Sequence, residues 1–213
     1  MSRLNLLTLC LCLFTLGLLI AQESDDWLPG GHQHPAPSTG AHALAPLILS
    51  DSIGVFAFCG PVERCGVYNS AWGVREDGVV GRQWYQGVAA AAYYRNKGLL
   101  GSTVVTELGT NGPITMSDVD AMMQELKGVK RIFAVTCFVS SNNNWTRAFE
   151  WCSYGLGYGV NAVLAAAAKK YHRLKLIRWD LQAYKYVSYP DGTHPDSLGS
   201  YTLASMIHKA VYG

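Results

Sequence analysis

The sequence predicts an α/β protein, a three-layer α/β/α sandwich built on a parallel sheet. Two observations carry that prediction. Short apolar runs alternate with longer stretches of helical composition, giving the order βαβαβαβα. Polar turns rich in chemically capable side chains follow several of the apolar runs, where a parallel sheet presents its ligand-binding edge. Pro46-Leu47-Ile48-Leu49 stops abruptly at Ser50-Asp51-Ser52 and reads as a buried strand ending in a turn. Gln83 to Asn96, with its Val88 to Ala92 stretch, reads as a helix closed by Lys97-Gly98. Ser102 to Glu107 is a second strand. A helix follows with Ser117 as N-cap and Asp118 and Asp120 at the positive end of its dipole, ending before Gly128. Arg131 to Cys137 is a third strand, and Trp145 to Tyr171 is mostly helix, with Gly155, Gly157 and Gly159 weakening its first part. Leu174 to Trp179 is a fourth strand, and Asp196 to Tyr212 a closing helix.

Composition narrows the function classes. The chain has 213 residues, 49% hydrophobic, which suits one domain with a sizeable core plus short extras. Charged residues make up 15%, a low share more usual in secreted than in cytosolic proteins, and the formal net charge is +2. No basic run or aromatic–basic stripe points to nucleic acid.

Residues 1–21 read as a targeting segment. Arg3 precedes an apolar run from Leu6 to Ala21, and Gln22-Glu23-Ser24-Asp25-Asp26 follows. This is the layout of a secretory signal cleaved near Ala21, with an uncleaved membrane anchor as the alternative reading. Residues 22–44 have linker composition, including Pro29, Gly30, Gly31, Pro35 and Pro37. His32, His34 and His42 within it read as solvated side chains, not metal ligands. The folded domain is then 45–213. It retains Cys59, Cys65, Cys137 and Cys152, an even count that in an exported protein predicts disulfides. Four cysteines allow three connectivities, and loop length favours Cys59–Cys65 with Cys137–Cys152. No Cys-x-x-Cys pair suggests zinc.

Four short stretches stand out in a fixed order: Ser50-Asp51-Ser52-Ile53, Gly81-Arg82-Gln83, Gly109-Thr110-Asn111-Gly112 and Asp191-Gly192-Thr193-His194. Together they supply a serine, a glycine, an asparagine and an Asp-x-x-His pair. Those are the parts of a serine acyl-transfer site: nucleophile, oxyanion donors, general base and its orienter. A serine hydroxyl needs a base to take its proton, which His194 can supply near neutral pH, and Asp191 can fix the imidazole tautomer.

These stretches resemble blocks I, II, III and V of the SGNH (GDSL-like) hydrolase family. Val105-Thr106-Glu107-Leu108-Gly109-Thr110-Asn111-Gly112-Pro113, Val80-Gly81-Arg82-Gln83 and Asp191-Gly192-Thr193-His194-Pro195 are most similar to the extracytoplasmic catalytic domains of peptidoglycan O-acetyltransferases. The resemblance covers roughly residues 46 to 212. It implies a flavodoxin-like SGNH fold, catalytic Ser52, Asp191 and His194, an oxyanion hole from the Ser52 and Gly81 N–H groups and the Asn111 amide, and a structural Asp51 that bonds turn amides. Two departures matter. Ser50 stands where the family usually has glycine. The stretch from Cys137 to Trp145 keeps only Trp145 of a Pro-Arg-Pro-Trp-like motif, and Trp145 is the expected substrate contact.

The resemblance implies an exported enzyme acting on O-acetyl groups of a cell-wall glycan through an acetyl-serine, as a peptidoglycan O-acetyltransferase or O-acetylesterase. It implies no cofactor and no metal, a cell-envelope location and a monomer. The acetyltransferases of that branch carry a multi-helix membrane domain that delivers acetyl groups. No such segment stands in these residues, so transfer would call on a membrane donor partner or a soluble donor. Two other readings share the fold: a general secreted esterase or lipase, which chain-length preference would reveal, and a non-catalytic glycan-binding module using Trp72, Trp84, Trp145 and Trp151.

Overall fold

The computed structural model describes residues 44–60, 71–141, 148–152, 159–187 and 191–213. Five parallel strands form one sheet: β1 (Leu47–Ser50), β2 (Arg75–Gly78), β3 (Thr103–Glu107), β4 (Arg131–Val135) and β5 (Leu174–Ile177). Their spatial order is β2-β1-β3-β4-β5. The α-helices among the described residues are α1 (Ser52–Cys59), α2 (Trp84–Asn96), α3 (Met116–Glu125), α4 (Gly159–Lys170) and α5 (Ser197–Tyr212).

Strand alternation sends side chains to two separate cores. Leu47 and Leu49 of β1, Val104 of β3 and Ile132 and Ala134 of β4 pack with α2, α3 and α4. Ile48, Val105, Phe133, Val135 and Ile177 face the other way, against α1 and α5. The three layers follow directly: a fully covered parallel sheet buries both faces, which is why its strands read as apolar runs instead of alternating ones.

The sheet also fixes where a ligand can sit. β1 lies between β2 and β3, so the chain leaves β1 toward one side and returns to β3 on the other. The loops after β1 and β3 therefore diverge, leaving a crevice at the carboxyl edge between them.

The structure adds two elements that the sequence does not signal, β2 and α1, and corrects two expectations, the N-cap of α3 and the extent of the helix before β5. β2 reads Arg-Glu-Asp-Gly and has no apolar signal, yet all four residues are buried. Two of its charged side chains find partners in the fold: Arg75 donates to the carbonyls of Ala45, Leu99 and Leu100, and Asp77 pairs with Arg82 at 2.7 Å. The helix after β1 begins at Ser52 itself, capped by Asp51, whose Oδ1 accepts from the Ile53 N–H at 2.9 Å. The α3 N-cap is Thr115, not Ser117: the Asp118 carboxylate reaches back to the Thr115 N–H at 2.7 Å, closing a capping box. Of the described residues in the stretch from Trp145 to Tyr171, Gly159–Lys170 are α-helical and Ala148–Glu150 form a 3-10 turn; Gly155 and Gly157 lie outside the described residues.

The Cys137–Cys152 disulfide is present. Cys59 is disulfide-bonded as well, and the expected partner, Cys65, lies outside the described residues. So do the segment 1–43 and Trp145. Among the described residues no helix is long and apolar enough to cross a membrane.

Candidate active site

Ser52 is the first residue of α1, separated from the end of β1 by Asp51 alone. A strand running almost directly into a helix makes a tight turn, and Ser52 falls on its apex. Asp51 is wholly buried and takes the N-cap, so the Ser52 side chain is released from capping. Its Oγ lies 2.9 Å from His194 Nε2. The other ring nitrogen, Nδ1, lies 2.8 Å from Asp191 Oδ2.

The Asp191-Gly192-Thr193-His194 turn fixes this geometry through its own backbone. Asp191 Oδ1 accepts from the N–H groups of Thr193 at 2.9 Å and His194 at 3.0 Å, leaving Oδ2 for the ring. Burial alone would raise the Asp191 carboxyl. The His194 N–H, the imidazole and the Thr193 N–H outweigh it and hold the group below the usual carboxylate range. An ionised Asp191 accepts from Nδ1–H, which leaves Nε2 as an acceptor for the Ser52 hydroxyl. The turn is anchored at both ends: Gly192 O accepts from the Ser140 N–H at 2.7 Å, and Asp196 donates its N–H to Tyr186 O at 2.7 Å before capping α5.

Gly81 and Asn111 come from the loops after β2 and β3. Gly81 is exposed and has φ +76°, a left-handed conformation that glycine adopts freely. Arg82 joins these loops to the Ser50–Ser52 turn. Its guanidinium donates to the Ser50 carbonyl at 3.2 Å, to the Asp77 carbonyl and to Asp77 Oδ1. Its own carbonyl lies 3.4 Å from Asn111 Nδ2. The Asn111 amide has a second N–H for an incoming oxygen.

Beneath the turn lies a group of buried carboxyls that the sequence reading did not connect to the site. Glu107 accepts from the Gly54 N–H at 3.0 Å. It is pushed well above the usual range by burial and by Asp51. Glu76 is pushed up to about 8, chiefly by burial, against the pull of a Ser50 hydrogen bond. Ser50 has no positive φ, so its backbone accommodates a side chain. Room for that side chain comes from Gly54 and Gly78, where a Cβ would lie 2.4 Å and 2.7 Å from Ser50 Oγ.

On the far side of the crevice a buried asparagine holds the end of β4. Asn161 Oδ1 accepts from the Cys137 N–H and its Nδ2 donates to the Cys137 carbonyl, both at 2.8 Å. This satisfies the backbone N–H and carbonyl of Cys137, two residues beyond the strand, and ties them to α4.

The C-terminal catalytic domain of Streptococcus pneumoniae peptidoglycan O-acetyltransferase A superposes with a TM-score of 0.60 over 79% of this chain and 93% of that one, at 19% identity. A Bacteroides thetaiotaomicron structure described as a GDSL-like lipase gives 0.55, covering 78% of this chain and 86% of that one at 15% identity. This chain has the SGNH (GDSL-like) hydrolase fold. In sequence, a Staphylococcus aureus (strain MSSA476) protein named "Putative O-acetyltransferase" is 32% identical over 171 residues, 79% of this chain and 25% of that protein. Bacillus subtilis (strain 168) has a "Putative peptidoglycan O-acetyltransferase" that is 30% identical over 137 residues, 63% of this chain and 19% of that protein. The chain thus spans about a quarter or less of the curated relatives it matches. No family model matches it. Within the SGNH fold, the structure brings Ser52, Asp191 and His194 into one hydrogen-bonded line and sets Asn111 against the loop of Gly81.

Proposed function

We propose that the chain is an exported serine acyl-transfer enzyme that acts on O-acetyl esters of a cell-wall glycan through an acetyl-Ser52 intermediate. The observation that carries this reading is the Ser52–His194–Asp191 line, with contacts of 2.9 Å and 2.8 Å. The likeness to a Bacillus subtilis protein named for peptidoglycan O-acetyl transfer supports the choice of acyl group and glycan.

Ser52 Oγ attacks the acetyl carbonyl while His194 Nε2 takes its proton, and ionised Asp191 stabilises the imidazolium. The carbonyl oxygen becomes an oxyanion held by the Ser52 and Gly81 N–H groups and by Asn111 Nδ2. Each such donor is worth about 2.7–4 kcal/mol in the transition state. The tetrahedral species collapses, His194 returns the proton to the departing group (the sugar oxygen of an acetylated glycan, or the leaving atom of an acetyl donor), and acetyl stays on Ser52. A second hydroxyl, deprotonated by His194, then takes the acetyl group. Water as acceptor gives an O-acetylesterase, and a glycan hydroxyl gives an O-acetyltransferase fed by a membrane donor partner or a soluble donor. Trp145 is assigned to the sugar, the N-terminal apolar run to export or anchoring at the cell envelope, and the working unit is a monomer.

Hydrolysis of 4-nitrophenyl acetate by the full chain, with Ser52→Ala alongside, tests the mechanism. Turnover lost in the variant, a 42-Da adduct on Ser52 by mass spectrometry (about one acetyl group,), and a strong preference for acetyl over butyryl esters support it. Undiminished turnover by Ser52→Ala overturns it.

A further inference from the structure

Ser50 replaces the glycine that its family usually places at the start of the nucleophile block, and its surroundings give the replacement a chemical role. Its Oγ faces two acceptors: the Asp51 carbonyl at 3.3 Å and Glu76 Oε1 in close contact. A serine has one hydroxyl hydrogen. Both contacts can be hydrogen bonds only if Glu76 supplies the second hydrogen, as a protonated carboxyl donating to Ser50 Oγ. The Asp51 carbonyl belongs to the same peptide unit as the Ser52 N–H, a candidate oxyanion donor. A hydrogen bond onto the carbonyl side of a peptide fixes its plane and strengthens its N–H as a donor.

We propose that Ser50 and Glu76 are positioning residues for the reaction: Glu76–OH donates to Ser50 Oγ, Ser50 O–H donates to the Asp51 carbonyl, and the relay orients and polarises the Ser52 N–H. This rests on the reading of Ser52 as the nucleophile. Three observations support it. Glu76 is fully buried, and its Oε2 has no hydrogen-bond partner among the described residues, a poor setting for a charge. Burial pushes its carboxyl up to about 8, so at neutral pH it carries the proton the relay needs. Gly54 and Gly78 leave the space that Ser50 Oγ occupies, so strand, turn and helix are all shaped around this hydroxyl.

The groups facing Glu76 set its titration. Asp77 on its own strand and Asp51 from the turn raise it, while Arg82 from the following loop and the Ser50 hydroxyl lower it. Glu107 at the end of β3 interacts with it, and its own carboxyl is likewise raised, chiefly by burial. When Glu76 ionises it becomes an acceptor, the Ser50 hydrogen turns to the carboxylate, and the Asp51 carbonyl loses its donor. Activity should therefore fall on the alkaline side as Glu76 loses its proton.

The test is a pH profile of kcat and KM for 4-nitrophenyl acetate, from pH 6 to 9.5 (roughly 1.5–2 units either side of Glu76's value), on the wild type, Ser52→Ala, Ser50→Ala, Glu76→Gln and Glu76→Ala. Ser50→Ala is expected to lower kcat about 10-fold with KM unchanged, less than loss of a whole oxyanion donor. Glu76→Ala should lose a similar factor. Glu76→Gln, whose amide can still donate to Ser50 Oγ, should recover the neutral-pH rate and abolish the alkaline fall. Wild-type kcat in Ser50→Ala, or an unchanged alkaline fall in Glu76→Gln, overturns the proposal. If Ser50→Ala does not fold, the Glu76→Gln profile decides. Turnover that does not depend on Ser52 overturns the nucleophile reading and this one together. Turnover that depends on Ser52 but ignores both substitutions overturns this one alone.

Discussion

Phe56 stacks on the imidazole of His194, with ring centroids 4.7 Å apart and planes 26° from parallel. Phe56 lies four residues after Ser52 on α1, so one helix face presents both the hydroxyl and the ring that backs its base. The imidazole is thus fixed at Nδ1 by Asp191, at Nε2 by Ser52 and across its face by Phe56. A stacked aromatic pair contributes about 0.5–1.5 kcal/mol. Phe56→Ala is expected to lower kcat by about 3- to 10-fold, Phe56→Tyr to recover it, and circular dichroism to remain unchanged. Equal rates for Phe56→Ala and wild type would remove Phe56 from the positioning of His194.

Asp191→Asn should cost far more than its size suggests. An amide at this position can donate to Nδ1 and so favours the tautomer with hydrogen on Nε2, which cannot take the Ser52 proton. A loss of roughly 10³–10⁴ in kcat is expected with little change in fold. Steady-state kinetics on 4-nitrophenyl acetate check it, and a loss below tenfold would mean that Asp191 does not set the tautomer.

Arg82 and Asp77 form a buried ion pair, each nearly inaccessible to solvent. Removing one partner strands the other charge in the interior, at a cost of roughly 3–5 kcal/mol. Arg82→Ala is therefore expected to lower the Tm by roughly 10 °C. Arg82→Lys should recover only part of this, because an ammonium cannot serve the Ser50 carbonyl, the Asp77 carbonyl and the Asp77 carboxylate with one planar fork. Calorimetry of both variants decides.

Glu76 also makes stability depend on pH. Its carboxyl titrates at about 8 in the fold against 4.5 in the free group. Across that window the folded chain keeps a proton that the unfolded chain releases, so stability is greatest below it and declines as pH rises toward 8, by up to about 1.4 kcal/mol per pH unit. Glu107, also raised, adds a decline of the same sign. Urea unfolding at several pH values from 5 to 8 should show the decline, and Glu76→Gln should flatten it (by about one proton's worth). A wild-type slope in Glu76→Gln would show that Glu76 is ionised in the fold at neutral pH.

The Cys137–Cys152 disulfide closes a loop of 15 residues. The chain-entropy account gives such a loop about 3 kcal/mol. The double variant Cys137→Ala/Cys152→Ala should unfold at correspondingly lower denaturant. It should also lose rate, because the bridge steadies the segment whose Ser140 N–H holds the Gly192 carbonyl of the His194 turn.

The sequence by itself determined the α/β class, the strands around β1, β3, β4 and β5, and the candidates Ser52, Gly81, Asn111, Asp191 and His194. Apolar runs and turn chemistry are local, so they survive in one dimension. The tertiary structure decided what depends on partners distant in the chain. β2 could not be read from Arg-Glu-Asp-Gly, because its burial is possible only once Ala45, Leu99, Leu100, Ser50 and Arg82 surround it. Phe56 carries no local signal of a role, since only the fold lays His194, far along the chain, on its ring. Ser50 looked like a departure from its family until the fold placed Glu76 on one side of its hydroxyl and the Asp51 carbonyl on the other. The physical reason is common to all three: a buried polar or charged group is stable only with its partner in place, and that partner is supplied by the fold rather than by its neighbours in sequence.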